Sequence, residues 1–250
     1  MSGCWAIFKR EVQSTWLTPL AWILLTTFLL IQGGVFYSIV VHMSQVEGGV
    51  SGTGPIQAYF GQQSLLMALS LLLLCPALTM RSIAEERRSG SIEALLSAPV
   101  TSAAIVVGKY LGSLLTYCLM WLPTLLYFAT LRETGTLHLA TILSGYVGVF
   151  MVGAGYLGIG ILMSTLAKSQ FVALLLTSTF IFSLFILGIG EYIFDSAALR
   201  AVCGYVSLTS TLEETAQGII DSRRLIFYFS LTIWALFVSG RVMDSWRAPA

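Results

Sequence analysis

Charge is what this sequence has least of. Of its 250 residues, 13 are Lys or Arg and 12 are Asp or Glu, whereas a soluble domain carries roughly a quarter charged residues. Apolar side chains make up 56 % of the chain, and its mean hydropathy is +0.85. So little polar surface excludes a water-soluble enzyme, and so much apolar content excludes a disordered chain. The net charge of +1 excludes a nucleic-acid binder, which would need a basic excess. Cysteine is scarce too: Cys4, Cys75, Cys118 and Cys203 show no C-x-x-C spacing. They fall at different levels of the chain, so no intrachain disulfide is expected. The composition instead fits several membrane spans of about 20 residues each.

Six segments are long and uncharged enough to satisfy that length: residues 20–41, 59–80, 105–131, 139–163, 171–190 and 225–240. Runs such as Leu69-Ser70-Leu71-Leu72 lack the alternation of a membrane barrel strand. The fold class expected is therefore all-α, one polytopic permease domain over residues 1–250. Lys and Arg set its orientation. With the N-terminus inside, nine fall on the cytoplasmic side (Lys9, Arg10, Arg81, Arg87, Arg88, Lys109, Lys168, Arg241, Arg247) and four outside (Arg132, Arg200, Arg223, Arg224). Both termini are expected to be cytoplasmic. The first apolar run is too long for the h-region of a cleaved signal peptide, and no organelle-targeting extension precedes it, so a bacterial inner membrane is the expected location.

Chemistry is largely missing from the spans. Counting Lys109 with the cytoplasmic residues, no span interior is expected to hold Asp, Glu, Lys, Arg or His, which argues against an ion or proton relay. Gln32 is the most polar side chain at depth and is expected to bond to a neighbouring helix. Gly108-Lys109 ends like a phosphate loop, but Tyr110 follows where Ser or Thr is required and Ala103 replaces the first Gly. Gly153-Ala154-Gly155-Tyr156-Leu157-Gly158 matches the dinucleotide fingerprint in letters only. Inside a span, such small residues (with Ser144 and Gly148) serve close helix packing. His42, Met43, His138 and Cys203 have no ligand spacing, so no metal site and no catalytic residue is assigned.

Two segments on the cytoplasmic side are patterned for contact. In residues 1–19, Trp5, Phe8, Val12 and Trp16 share one helical face while Lys9 and Arg10 occupy others, the pattern of an interfacial helix. Thr18-Pro19 separates it from the first span. In residues 81–104, Arg81, Glu85, Glu86, Arg87, Arg88 and Glu93 crowd around Gly90. Ile92, Leu95 and Leu96 then form a short apolar stripe that ends at Pro99. That stripe needs something to lie on, either lipid or a partner protein, and the residues alone leave both open. On the outer side, residues 191–224 carry two capping-box patterns, Ser210-x-x-Glu213 and Thr211-x-x-Glu214. Leu208, Leu212, Ala216 and Ile219 follow at helical spacing.

The stretch Glu86-Arg-Arg-Ser-Gly90-Ser-Ile92-Glu93-Ala-Leu95-Leu96-Ser-Ala-Pro99 resembles the loop of ABC-2-type permeases, the membrane subunits of ATP-binding-cassette exporters. Its place between spans two and three, the six spans and the N-terminal helix agree. The stretch Gly218-Ile-Ile-Asp221-Ser-Arg-Arg-Leu225 resembles the gliding-motility-type and nitrous-oxide-reductase-maturation-type branches. Those branches carry Ser-Pro-Phe and His-Phe where this chain has Ser207-Leu208-Thr209-Ser210. The resemblance implies two cytosolic ATPase subunits that hold ATP and Mg, and a second permease copy or paralogue. It makes Glu86, Arg87, Arg88, Gly90, Ile92, Glu93, Leu95, Leu96 and Pro99 the ATPase-coupling residues, with the three apolar side chains filling a groove on the ATPase and the charges at its rim. It makes Leu208, Leu212, Glu213, Gly218 and Asp221 part of an outer gate of short re-entrant helices. The implied function is export of an amphipathic or lipid-linked cargo. The alternative is transmission of ATP-driven motion to an envelope, gliding-motility or metalloenzyme-maturation machine.

Overall fold

A computed structural model describes residues 2–45, 54–62, 64–131 and 139–247; Arg132 and His138 lie outside the described residues. These residues form helices without a strand, as a bilayer demands of a chain that does not close into a barrel. In chain order they are α1 (Ser2–Leu17), α2 (Pro19–Gln45), α3 (Pro55–Gln57), a π-helical turn (Ala58–Gln62), α4 (Ser64–Thr79), α5 (Ala84–Ser89) and α6 (Ser91–Ser97). There follow α7 (Ser102–Trp121), a 3₁₀ turn (Leu122–Thr124), α8 (Leu125–Leu131), α9 (Leu139–Leu166), α10 (Gln170–Ile193), α11 (Ala197–Val206), α12 (Leu208–Ala216) and α13 (Ser222–Ser245).

Among the described residues, six helical stretches are long and apolar enough to cross a membrane, and each overlaps an expected span. The differences have local causes. The second span does not run as one regular helix from residue 59, because the π-helical turn Ala58–Gln62 precedes α4. The third bends at Pro123, whose ring tightens the backbone into a 3₁₀ turn between α7 and α8. The last extends to Ser222–Ser245, beyond both expected limits, because the Asp221 carboxylate accepts a hydrogen bond from the Arg223 amide (2.9 Å) and caps the helix early.

α9 is the central element, packed against α13, α10, α12, α4 and α7. Its glycines make this possible. A Cβ added at Gly153 would stand 2.4 Å from the Tyr117 ring, and one at Gly148 would stand 2.2 Å from Thr215 Oγ1. Gly158 meets the α13 backbone at Thr232, so the fingerprint-like run is a packing surface. Gln32 is buried and bridges three elements: its amide donates to Ser70 Oγ (2.9 Å) on α4, and its carbonyl accepts from Tyr59 OH (3.0 Å).

α1 lies against α7. Gly108 receives Cys4 and Ile7, and Gly112 receives Glu11. Phe8, Val12 and Trp16 are half-buried beside this contact, whereas Trp5 stays exposed and stacks on Phe8 at 5.1 Å. The C-terminal end of α13 returns to the same end of the bundle, where Arg247 donates to the Val100 carbonyl (2.6 Å) and Trp246 packs beside Arg87.

Candidate functional site at the terminal end of the bundle

Between spans two and three the chain makes two short helices hinged on a glycine. α5 places Glu85 and Glu86 in its first turn and Arg87 and Arg88 in its last, the order that the helix dipole favours. Its first amides have no cap of their own. Ser164 Oγ on α9 accepts from both Ile83 N and Ala84 N at 3.1 Å, satisfying groups that would otherwise be orphaned. Gly90 sits at φ +76°, a conformation that L side chains rarely adopt, and it redirects the chain into α6. Extended backbone at Ala98, ahead of Pro99, ends α6.

The apolar stripe is used differently from expectation. Ile92 is only 8 % exposed and belongs to the chain's own core, and Leu95 and Leu96 are half-buried against it. The outward edge is instead Glu93, Ala94 and Ser97, next to the exposed ion pair of Arg88 Nε with Glu85 Oε2 (3.3 Å). Arg87 does not reach outward, because its guanidinium lies 4.7 Å over the Trp246 ring.

Glu86 departs furthest from its expected place at a rim, for it turns inward. Its Oε1 lies 3.0 Å from Lys109 Nζ. That lysine also contacts Glu11 Oε2 at 3.0 Å and donates to the Ser82 carbonyl at 2.6 Å. Ser82 Oγ in turn donates to Glu11 Oε1 (3.2 Å). Lys109 is 2 % exposed and lies in the second turn of α7, inside the stretch Ser102–Thr130 that is long and apolar enough to cross a membrane. The segment expected as the third span therefore carries a buried charge at Lys109. The residue is tolerated there because two hydrogen-bond acceptors and the Glu86 carboxylate replace its water. Removing a buried partner from such a cluster strands the opposing charges, at about 3–5 kcal/mol. The rule that a charge within an apolar run must have a partner could have flagged Lys109. Nothing in the sequence names Glu11 as that partner, since it lies 98 residues away.

At the opposite end, α11 packs on α10 and α13, and α12 packs on α9, the π-helical turn and α4. Leu208 and Leu212 are buried and Glu213 is half-buried, Gly218 turns the chain at φ +86°, and Asp221 caps α13. The helix cap is not where the capping boxes place it. Ser207 Oγ accepts from the Ser210 amide (3.3 Å) and starts α12 three residues earlier. Ile219 falls beyond the turn and is exposed. Missed by the sequence were Arg224, which is buried and paired with Glu214 Oε1 (2.6 Å), and Glu191, which accepts from Ser210 Oγ.

A family model described as ABC-2 family transporter protein matches residues 5–238 of this chain. None of the curated proteins compared with it matches.

Proposed function

The chain belongs to the ABC-2 transporter family, and on that premise we propose that it is the membrane subunit of an ATP-driven exporter in a bacterial inner membrane. Both termini and α5–α6 then face the cytoplasm. Two separate ATPase subunits hold ATP and Mg and hydrolyse the nucleotide, and this chain is non-catalytic. A second copy or a paralogue completes the pathway for an amphipathic or lipid-linked cargo. α5 and α6 are the coupling segment, and the α11–α12 pair is the outer gate.

The observation that carries this reading is the way the hinged pair α5–α6 is held. Its start is fixed to α9 through Ser164, its inner side to α1 and α7 through Glu86, and its flank to the end of α13 through Arg87. A surface loop without a mechanical role needs no such anchorage. The outward edge at Glu93, Ala94 and Ser97, with Leu95 and Leu96 beneath it, is the part left for a partner.

The test is affinity purification of the chain from its native membrane, with mass spectrometry of stoichiometric partners. An ATPase should appear in the wild-type preparation and be lost with Leu95→Asp and Leu96→Asp together. Because those two leucines also touch the core, Glu93→Lys serves as a surface companion and should weaken the same association. A preparation with no ATPase, under conditions that preserve a known ABC complex, would overturn the reading. ATPase activity that no amphipathic or lipid-linked molecule stimulates would favour transmission to an envelope or gliding-motility machine.

A further inference from the structure

Lys109 occupies a position where a neutral residue would be far easier to accommodate. Its ammonium is almost fully buried, yet its three partners come from two separate parts of the chain: Glu11 from α1, and Glu86 with the Ser82 carbonyl from α5 and the turn before it. A cavity of about 280 Å³ lies between α1 and α5, bordered by Arg10, Ser14, Arg81 and Ser89 as well as by the cluster. The ion cluster bridges its walls. On its other side α1 rests directly on α7, at Gly108 and Gly112. An apolar contact at this point could slide, because dispersion has no direction. A buried ammonium that donates to Glu11 and to the Ser82 carbonyl and pairs with the Glu86 carboxylate at 3.0 Å is held by direction and charge, and any shift of α5 alone would strand charge.

We infer that Lys109 is a positioning residue for energy coupling: it locks the coupling segment to α1 and to the third span, so that a push on α6 moves all three as one body. This rests on the permease reading. The role is transmission, so it should be separable from ATPase docking, which uses the exposed edge of α6.

Cys203 supplies the readout. It is buried in α11 against Gly190, on the exterior side in the proposed orientation, so a membrane-impermeant maleimide reaches it only when the outer helices part. The experiment uses the purified complex in proteoliposomes, with labelling of Cys203 followed by mass spectrometry with and without ATP and Mg. In the unaltered complex, ATP should accelerate labelling on the order of tenfold, within the usual range of coupling between sites. In Lys109→Met the ATPase should remain bound and active while the acceleration falls to about onefold. Lys109→Arg, which keeps the cation facing the same acceptors, should restore it. ATP-accelerated labelling in Lys109→Met equal to that of the unaltered chain would overturn the inference and leave the permease reading intact. Loss of the ATPase from Lys109→Met would also overturn it, since the residue would then serve assembly alone. Labelling indifferent to ATP in the unaltered complex would overturn the permease reading and this inference together.

Discussion

A carboxyl group half-buried among other carboxyls can find a cation or take a raised pKa, and two neighbours on α12 illustrate both outcomes. Glu214 takes Arg224, a buried guanidinium 2.6 Å away. Glu213 has no such partner; burial first, and then the nearby charges of Glu191 and Glu214, raise its pKa above the ordinary 4.5. The consequence for stability follows from proton counting. Below 4.5 the group is protonated whether the chain is folded or not. As pH rises through the interval up to the folded-state value, the unfolded chain releases its proton first, so the native state holds more protons and stability falls. Glu213 therefore favours the fold in acid and opposes it at neutral pH. Glu213→Gln, neutral throughout, should remove that downward slope and raise the melting midpoint at pH 7 relative to the parent, with little change at pH 4. Midpoints measured in detergent across this interval would show it. An unaltered slope would mean that other groups set the pH response of this end of the bundle.

At the level of the helix, α9 shows why small residues recur in a membrane segment. Close approach of helices replaces the hydrophobic drive that lipid cannot provide. At Gly153 an added methyl would press on the ring of Tyr117, which is fully buried and donates its hydroxyl to the Val149 carbonyl (3.0 Å), so the ring has nowhere to go. Gly153→Ala should destabilise by roughly 1–3 kcal/mol, the usual penalty for overpacking. Gly34 in α2 has nothing within 4 Å of a built Cβ, and Gly34→Ala should stay within about 0.5 kcal/mol of the parent. Denaturation in mixed micelles would separate the two, and equal effects would refute the packing argument. The same element shows what a sequence can reveal. The spans were legible because a bilayer obliges backbone amides to pair within their own segment, which leaves apolar run length as a sufficient guide. The small residues of α9 were legible for the same reason. Where side chains from distant segments decide the geometry, the pattern misled. Ile92 reads as a free anchor but fills the chain's own core, and Glu86 reads as a rim charge but pairs with Lys109. The aromatic face of α1 reads as an interfacial face, and nothing in the pattern tells that Cys4, Ile7 and Glu11 meet Gly108 and Gly112 of α7. Local rules identify helices; they do not identify which of two amphipathic faces meets protein when both alternatives to water, lipid and protein, are apolar.

For the molecule as a whole, that ambiguity becomes a statement about where its stability resides. The central helix is buried over 72 % of its most apolar window and the first span over 22 %, so the bundle is a packed centre with outer helices that leave apolar faces exposed. In a soluble protein, truncating a buried leucine loses both the transfer free energy of its methyl groups and the contacts around the cavity left behind. In a membrane the first contribution largely vanishes, because lipid tails are as apolar as the core, and only the lost contacts remain. Leu71, in α4, is completely buried, while Leu30, in α2, is 76 % exposed. Leu71→Ala should therefore destabilise by about 2 kcal/mol, at the low end of the range for soluble cores. Leu30→Ala should change stability by less than about 0.5 kcal/mol, although the two substitutions remove the same atoms from helices of similar hydropathy. Unfolding midpoints in mixed micelles measure both. A large loss at Leu30 would show that the outer face of α2 is packed against protein rather than lipid, and it would place the contact with a second copy on the first span.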